Sequence, residues 1–208
     1  MIIVLMLLAV LLLPKDAMAQ SSLLSAEHAM VYNWDGIRAE AHLTLDNDYC
    51  VFIRNNTDKP IGELKAVIRY YDADGQVMDY DQDWHNAVLP GSTVVSKLRR
   101  ARGFAEARLE MEILPDANPL YRNHANNVII ASFISNYALN VEVRNVGATD
   151  IKEIEYAVVY YSADVVSRIS HARDLHDVRA GQTVASRDYP PPEYDRYEIF
   201  INQAHTYK

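Results

Sequence analysis

Ile68-Arg69-Tyr70-Tyr71-Asp72-Ala73-Asp74-Gly75 decides the fold, because the same kind of segment returns ninety positions later as Val158-Val159-Tyr160-Tyr161-Ser162-Ala163-Asp164. The offset holds without a gap. Val51, Arg54, Asn55, Ile61 and Glu63 match Val141, Arg144, Asn145, Ile151 and Glu153, and further on Val88, Gly91, Thr93, Val94 and Ser96 match Val178, Gly181, Thr183, Val184 and Ser186. A fixed period over this length means one supersecondary plan used twice.

Around these segments the pattern is that of short strands. Strand signals run through Ala29 to Trp34 and Ile37 to Leu45 about the Asp35-Gly36 turn, then Tyr49 to Arg54, Glu63 to Tyr71, Gln76 to about Trp84, Thr93 to Leu98 and Ala107 to Leu114. The second copy offers Val128 to Ser135, Leu139 to Arg144, Glu153 to Tyr161, Val165 to about Ala172, Thr183 to Arg187 and Tyr197 to Ile201. Asp-Gly and Pro-Gly steps separate the runs, and no helical period interrupts them. The expected architecture is all-β: two tandem antiparallel sandwiches of the fibronectin or immunoglobulin kind, over residues 28–114 and 127–208, joined by a breaker-rich linker at 115–126.

The N-terminus reads as an export signal. Ile2 to Leu13 is an apolar run of 12 residues, too short to span a bilayer, and Ala17-Met18-Ala19 after it is a small-x-small cleavage site. Residues 1–19 are therefore taken as a signal peptide cleaved after Ala19. Because no Lys or Arg precedes the run, a retained anchor is the alternative. The expected location is periplasmic or secreted. A formal net charge of −8 argues against nucleic acid and anionic membrane surfaces as partners. The single cysteine, Cys50, cannot form an internal disulfide, so the cores alone must hold the fold.

Comparing the copies assigns faces, since side chains alternate along a strand. Leu64/Ile154, Ala66/Tyr156, Ile68/Val158 and Tyr70/Tyr160 share the core parity, as do Val51/Val141 and Ile53/Val143. Cys50 and Phe52 lie on the opposite face, where the second copy has Asn140 and Glu142. An apolar patch on one copy only is what an interface with the other domain or with a partner leaves, and a locally covered sheet face is the plainer reading.

At Ile68-x-Tyr70-Tyr71-Asp72 and Val158-x-Tyr160-Tyr161-Ser162 the chain resembles the FxLYD family of exported bacterial β-sandwich domains, named for Phe-x-Leu-Tyr-Asp on a central strand. Arg54-Asn55-Asn56 before that strand, Asp72-Ala73-Asp74-Gly75 after it and Leu89-Pro90-Gly91 further on are similar too. The chain departs at the first position, which is aliphatic in both copies, and at the third, which is Tyr. Copy two also replaces the final Asp with Ser162. The resemblance implies an adhesive or accessory module without catalysis.

Residue types that could carry chemistry are present without the required spacing. Asp72, Asp74, Asp79, Asp81 and Asp83 suggest calcium, but an EF-hand loop wants glycine sixth and glutamate twelfth, and here Gly75 is fourth and Asp83 twelfth. Alternating aspartates read instead as a solvated strand face. Among histidines, His85, His171 and His176 show no His-x-His pairing, so neither a metal nor a cofactor is expected. No Gly-x-Ser-x-Gly, His-Glu-x-x-His or phosphate loop occurs, which makes an enzyme unexpected.

Aromatics carry the binding argument. Tyr71 and Tyr161 have the parity opposite the core, and Tyr80, Trp84, Tyr189 and Tyr194 lie at strand ends or loops where flat rings can stack on a sugar or peptide. Sheets also use such rings for their own cross-strand pairs. Asn55-Asn56-Thr57 is a glycosylation sequon by letter only, if the source is bacterial. The expected function is an exported protein-interaction module that binds an unidentified cell-envelope protein through a sheet edge or through Cys50 and Phe52. The alternative is a glycan-binding accessory using Tyr80, Trp84, Tyr189 and Tyr194.

Overall fold

The computed structural model describes residues 30–114, 121–170 and 175–207. The expected signal peptide, and His171, lie outside the described residues. The first half contains β1 (Met30–Trp34), β2 (Ile37–Leu43), β3 (Asp48–Asn55), β4 (Ile61–Tyr71), β5 (Val77–Val88), β6 (Thr93–Arg99) and β7 (Glu106–Leu114). They form two antiparallel sheets, ordered β1-β2-β3-β6 and β5-β4-β7. After β8 (Tyr121–Asn123) and a 3-10 turn at Ala125–Asn127 come β9 (Val128–Ser135), β10 (Ala138–Asn145), β11 (Ile151–Ser162), β12 (Val165–Ser170), β13 (Leu175–Val178), β14 (Thr183–Asp188) and β15 (Arg196–Tyr207). These make β14-β10-β9 and β12-β11-β15-β8, with β13 also on β11. The fold is all-β, as expected.

Each half encloses its own apolar core, and the repeated parity built both. Leu64, Ala66, Ile68 and Tyr70 of β4 are sealed from solvent, as are Ile154, Tyr156, Val158 and Tyr160 of β11. The motif tyrosines reach across the layer to a polar partner: the Tyr70 hydroxyl donates to the Arg99 carbonyl at 2.7 Å, and Tyr160 to the Asp188 carboxylate at 2.8 Å. A loop aromatic caps each ring, Phe104 over Tyr70 at 5.0 Å and Tyr194 over Tyr160 at 5.4 Å.

The repeated asparagine is a clasp. Both amide hydrogens of Asn55 are used, by the carbonyls of Lys59 at 2.8 Å and Val88 at 3.0 Å, while Oδ1 accepts from the Thr57 amide. Asn145 repeats the set with Thr149, Val178 and Gly147. Both side chains are buried, which ties the loop after β3 or β10 to the end of β5 or β13. The sequon asparagine is thus an internal bracket with no amide hydrogen left to modify. Gly36, at φ 80 in the Asp35-Gly36 turn, sits where a Cβ would come within 2.9 Å of Thr57 Cγ2, so that turn packs on the same loop.

The structure corrects the expected pattern in two places. Tyr121–Asn123, inside the expected linker, is a strand paired antiparallel with β15. By the ninety-residue offset it is the counterpart of β1, yet β1 pairs with β2 in the opposite kind of sheet. The aspartates of β5 are partly solvated, but at the rim of the inner side of their sheet and not on its outer face. Asp79, Asp81 and Asp83 share the inward parity of buried His85 and are half-buried. Asp81 accepts from the Arg99 amide at 2.6 Å and Asp79 from its guanidinium at 3.0 Å. The strand expected from Val165 is described as far as Ser170, its last expected residues lying outside the described ones, and β13 lies along the same side of β11 from Leu175.

The asparagine clasp makes a direct prediction. Asn55→Ala or Asn145→Ala leaves a buried carbonyl without its donor and is expected to cost about 1–3 kcal/mol each in urea unfolding. Asn56→Ala, on the surface beside it, is expected to change stability little.

Candidate functional site

Cys50 and Phe52 are where the two halves meet. Cys50 and Val95, on the outer face of β3 and β6, pack against Ala157, Val159 and Tyr161 of β11 and Val166 and Ile169 of β12. Phe52 meets Phe200 of β15 edge-on, with centroids 5.6 Å apart. The face on which partner binding was expected is therefore occupied by the second half of the same chain. Burial raises the Cys50 thiol far above its ordinary pKa, which favours the neutral thiol over the thiolate.

Two irregular positions supply the polar contacts of this joint. The register between β11 and β15 passes from Tyr156↔Ile201 to Glu155↔Gln203, which leaves Asn202 as the extra residue of a bulge. Its side chain mimics a neighbouring strand: Oδ1 accepts from the Val95 amide and Nδ2 donates to the Val95 carbonyl, both at 2.8 Å. Val95 lies on β6, the last strand of its sheet, so Asn202 satisfies an edge peptide that would otherwise be buried without partners. The bulge between Tyr160 and Tyr161 leaves Ser167 as the extra residue of β12, and its carbonyl accepts from the Leu45 amide at 3.1 Å. On the rim, Asn123 donates to the Ala87 carbonyl at 2.5 Å and Arg168 lies 3.6 Å from Asp46.

Tyr71 and Tyr161, expected as exposed rings, are both covered by arginine. Arg108 lies 4.4 Å from the Tyr71 ring centroid and Arg196 lies 3.6 Å from that of Tyr161. The Tyr161 hydroxyl faces Glu198 at 3.4 Å, and burial first, then Glu198, pushes its pKa up to about 12.

Among the described residues, nothing docks on the first half's copy of the docking face. On β5, Tyr80 is 52% exposed and Trp84 45%, on the side that pairs across to Arg69 and Lys65 of β4. The Lys65 ammonium sits 4.9 Å from the Trp84 ring and 3.0 Å from Glu112, and Arg69 pairs with Glu110 at 2.7 Å. Met78, the extra residue of a bulge between β4 and β5, is 46% exposed beside them. The four aromatics named as a ligand platform do not form one surface. Tyr80 and Trp84 share this face, whereas exposed Tyr189 follows β14 in the other half and Tyr194 is half-buried over Tyr160. The offset linking Tyr194 to Phe104 was the signal that could have assigned it to the core.

The groups considered for metal are engaged elsewhere. Asp72 caps its own turn by accepting from the amides of Asp74 and Gln76. Among the described residues no group of three or more His, Cys, Asp and Glu is gathered where it could hold a metal ion. His85 is buried with Nε2 2.7 Å from the Ser96 hydroxyl. The equivalent serine of the second half, Ser186, bonds the Tyr156 hydroxyl instead. The shallow clefts around the Asp35-Gly36 turn offer Asp35, Asp58 and Lys59 and neither histidine nor cysteine.

Fold and surfaces together define an all-β protein whose two halves dock sheet against sheet and leave one aromatic face open. No protein-family model matches the chain, and no curated protein matches it in sequence.

Two measurements follow. Cys50 is expected to resist a maleimide or disulfide reagent in the native protein and to react on unfolding, while Phe52→Glu, which puts a charge into the joint, is expected to speed native labelling at least tenfold. Burial lowers the His85 pKa below its ordinary 6.5, with Asp83 opposing the shift. Neutral His85 thus contributes stability that is full above pH 6.5 and is lost as pH falls from there to the folded-state pKa. The unfolding temperature is expected to fall on acidification from about pH 7 to pH 5, and His85→Leu to flatten part of that slope; His124 and His205, also lowered by burial, retain the rest.

Proposed function

We propose that this is an exported, non-catalytic interaction protein that holds a cell-envelope protein against the outer face of the β5-β4-β7 sheet. The observation that carries this reading is the repeat itself: the equivalent face of the second half is the one that docks a protein sheet within the chain. In the first half that face presents Met78, Tyr80 and Trp84 around the Lys65–Glu112 and Arg69–Glu110 pairs. Half-exposed aromatics and a methionine beside satisfied charges suit a protein partner, since rings bring contact area at small entropic cost.

Binding by addition of a strand to β5 has less support. The outward amides of Tyr80 and Trp84 are already bonded to the carboxylates of the preceding residues, Asp79 at 2.8 Å and Asp83 at 2.9 Å. Such self-capping blunts an edge. The glycan reading keeps Tyr80 and Trp84, but Lys65 over the Trp84 ring leaves less of it for a sugar to stack upon. Export rests on the apolar run and cleavage site of residues 1–19, with the mature chain beginning at Gln20.

Capture of the tagged protein from its own cell envelope tests this. A Tyr80→Ser, Trp84→Ser double variant is expected to lose one specific protein that wild type retains, with unchanged thermal unfolding. In a Trp34→Phe background, quenching or a blue shift of Trp84 emission on adding cell-wall glycan would put the carbohydrate reading first. Unaltered capture by the double variant would remove this face from consideration.

A further inference from the structure

β9 is the strand that carries an inference beyond this reading. It runs Val-Ile-Ile-Ala-Ser-Phe-Ile-Ser, eight residues without charge, glycine or proline. In the order β14-β10-β9 it ends its sheet, and among the described residues no strand pairs with its other side. The equivalent strand of the first half is not an edge. There β1 lies along β2, in register from Met30↔Ala41 to Trp34↔Ile37, and its buried Met30 and Tyr32 close the lip of the core. The counterpart of β1 is β8, which pairs with β15 in the opposite sheet. The lip beside β9 therefore stays open: Ile134, on the inward parity, is 45% exposed, and Phe133 on the outer face is 50% exposed.

The turn decides which peptide groups face outward. Ser135 and Ala138 flank a two-residue turn, Asn136-Tyr137, with both residues at positive φ. A turn of this kind hydrogen-bonds its flanking pair, so the odd-numbered residues of β9 bond β10, and the N–H and C=O groups of Ile130, Ser132 and Ile134 point away from the sheet. The edges of β5 and β6 are closed, the first by Asp79 and Asp83 and the second by Asn202. Among the described residues β9 has no such device, and its sequence is what a pairing strand needs.

We propose that β9 pairs antiparallel with β9 of a second copy of this chain, joining two three-stranded sheets into one of six. An uncharged strand meets no like-charge opposition when paired with itself, and a twofold axis makes one patch serve both copies. With the axis at Ser132, Ile130 lies beside the partner's Ile134 and Ala131 beside the partner's Phe133. That arrangement covers the open lip as β1 covers it in the first half.

Sedimentation equilibrium of the mature chain tests the pairing. Wild type is expected at twice the monomer mass. Ile134→Lys, which sets a charge on the exposed edge, and Ser132→Pro, which deletes an outward N–H, are each expected to halve that mass while keeping the wild-type circular dichroism spectrum. Ile134 is the safer of the two for folding because it is already half exposed. A monomeric wild type, or a dimer that persists in folded Ile134→Lys, overturns the proposal.

Discussion

The joint between the halves is the constraint on which the remaining surface depends. A sandwich buries the inner faces of its sheets and leaves two outer faces, so two copies present four. The joint removes one of each half from water, Cys50, Phe52 and Val95 against Ala157, Val159 and Phe200. The two faces it does not use are polar at most of the matching positions and carry only a small alanine at one. Asn140, Glu142 and Ala185 stand where the first half has Cys50, Phe52 and Val95, and Arg69, Glu110 and Glu112 stand where the second has Val159, Phe200 and Asn202. Apolar residues at all four would let halves stack head to tail without closure, an open assembly. Charge on the unused faces opposes that growth, and their large exposed apolar side chains include the Tyr80 and Trp84 row on one and Ile129 and Phe133 of β9 on the other.

Backbone demands shape the same molecule at its edges. A buried edge peptide must find partners, and the joint would bury Val95 of β6 without any. The bulge at Asn202 resolves this by turning a side-chain amide into the missing strand. An exposed edge has the opposite requirement, since open peptide groups invite pairing, and aspartates preceding Tyr80 and Trp84 close theirs locally. Bulges recur where the halves touch because an inserted residue can aim a polar group that a regular pleat would direct elsewhere. Both polar contacts at the centre of the joint, from Asn202 and Ser167, arise in this way.

Much of the fold was legible because burial and period are local properties of a strand. The parity of Leu64, Ile68 and Tyr70 marked the core side without reference to any partner strand, and two copies sharing it removed chance agreement. The aspartates of β5 were misread for the same reason. Their alternation is genuine, but whether the shared side faces water or the lip between two sheets depends on where β6 brings Arg99. Tyr71 and Tyr161 followed this pattern too, as parity placed them outside the core, and the cross-strand arginines of β7 and β15 cover both, with the joint also packing on Tyr161.

By itself the sequence determined the all-β class, the repeat, both cores and the existence of one patch, Cys50 and Phe52, on which the copies disagree. Each of these follows from alternation along a strand or from comparison at a fixed offset. Only the tertiary structure decided that the patch meets β11 and β12, that Asn55 and Asn145 are clasps, that β8 abandons the place of β1, and that Tyr80 and Trp84 share a face from which Tyr194 is excluded. Those outcomes depend on which strands become neighbours, and pairing between segments far apart in the chain is fixed by the collective packing of the sheets, which no local pattern encodes.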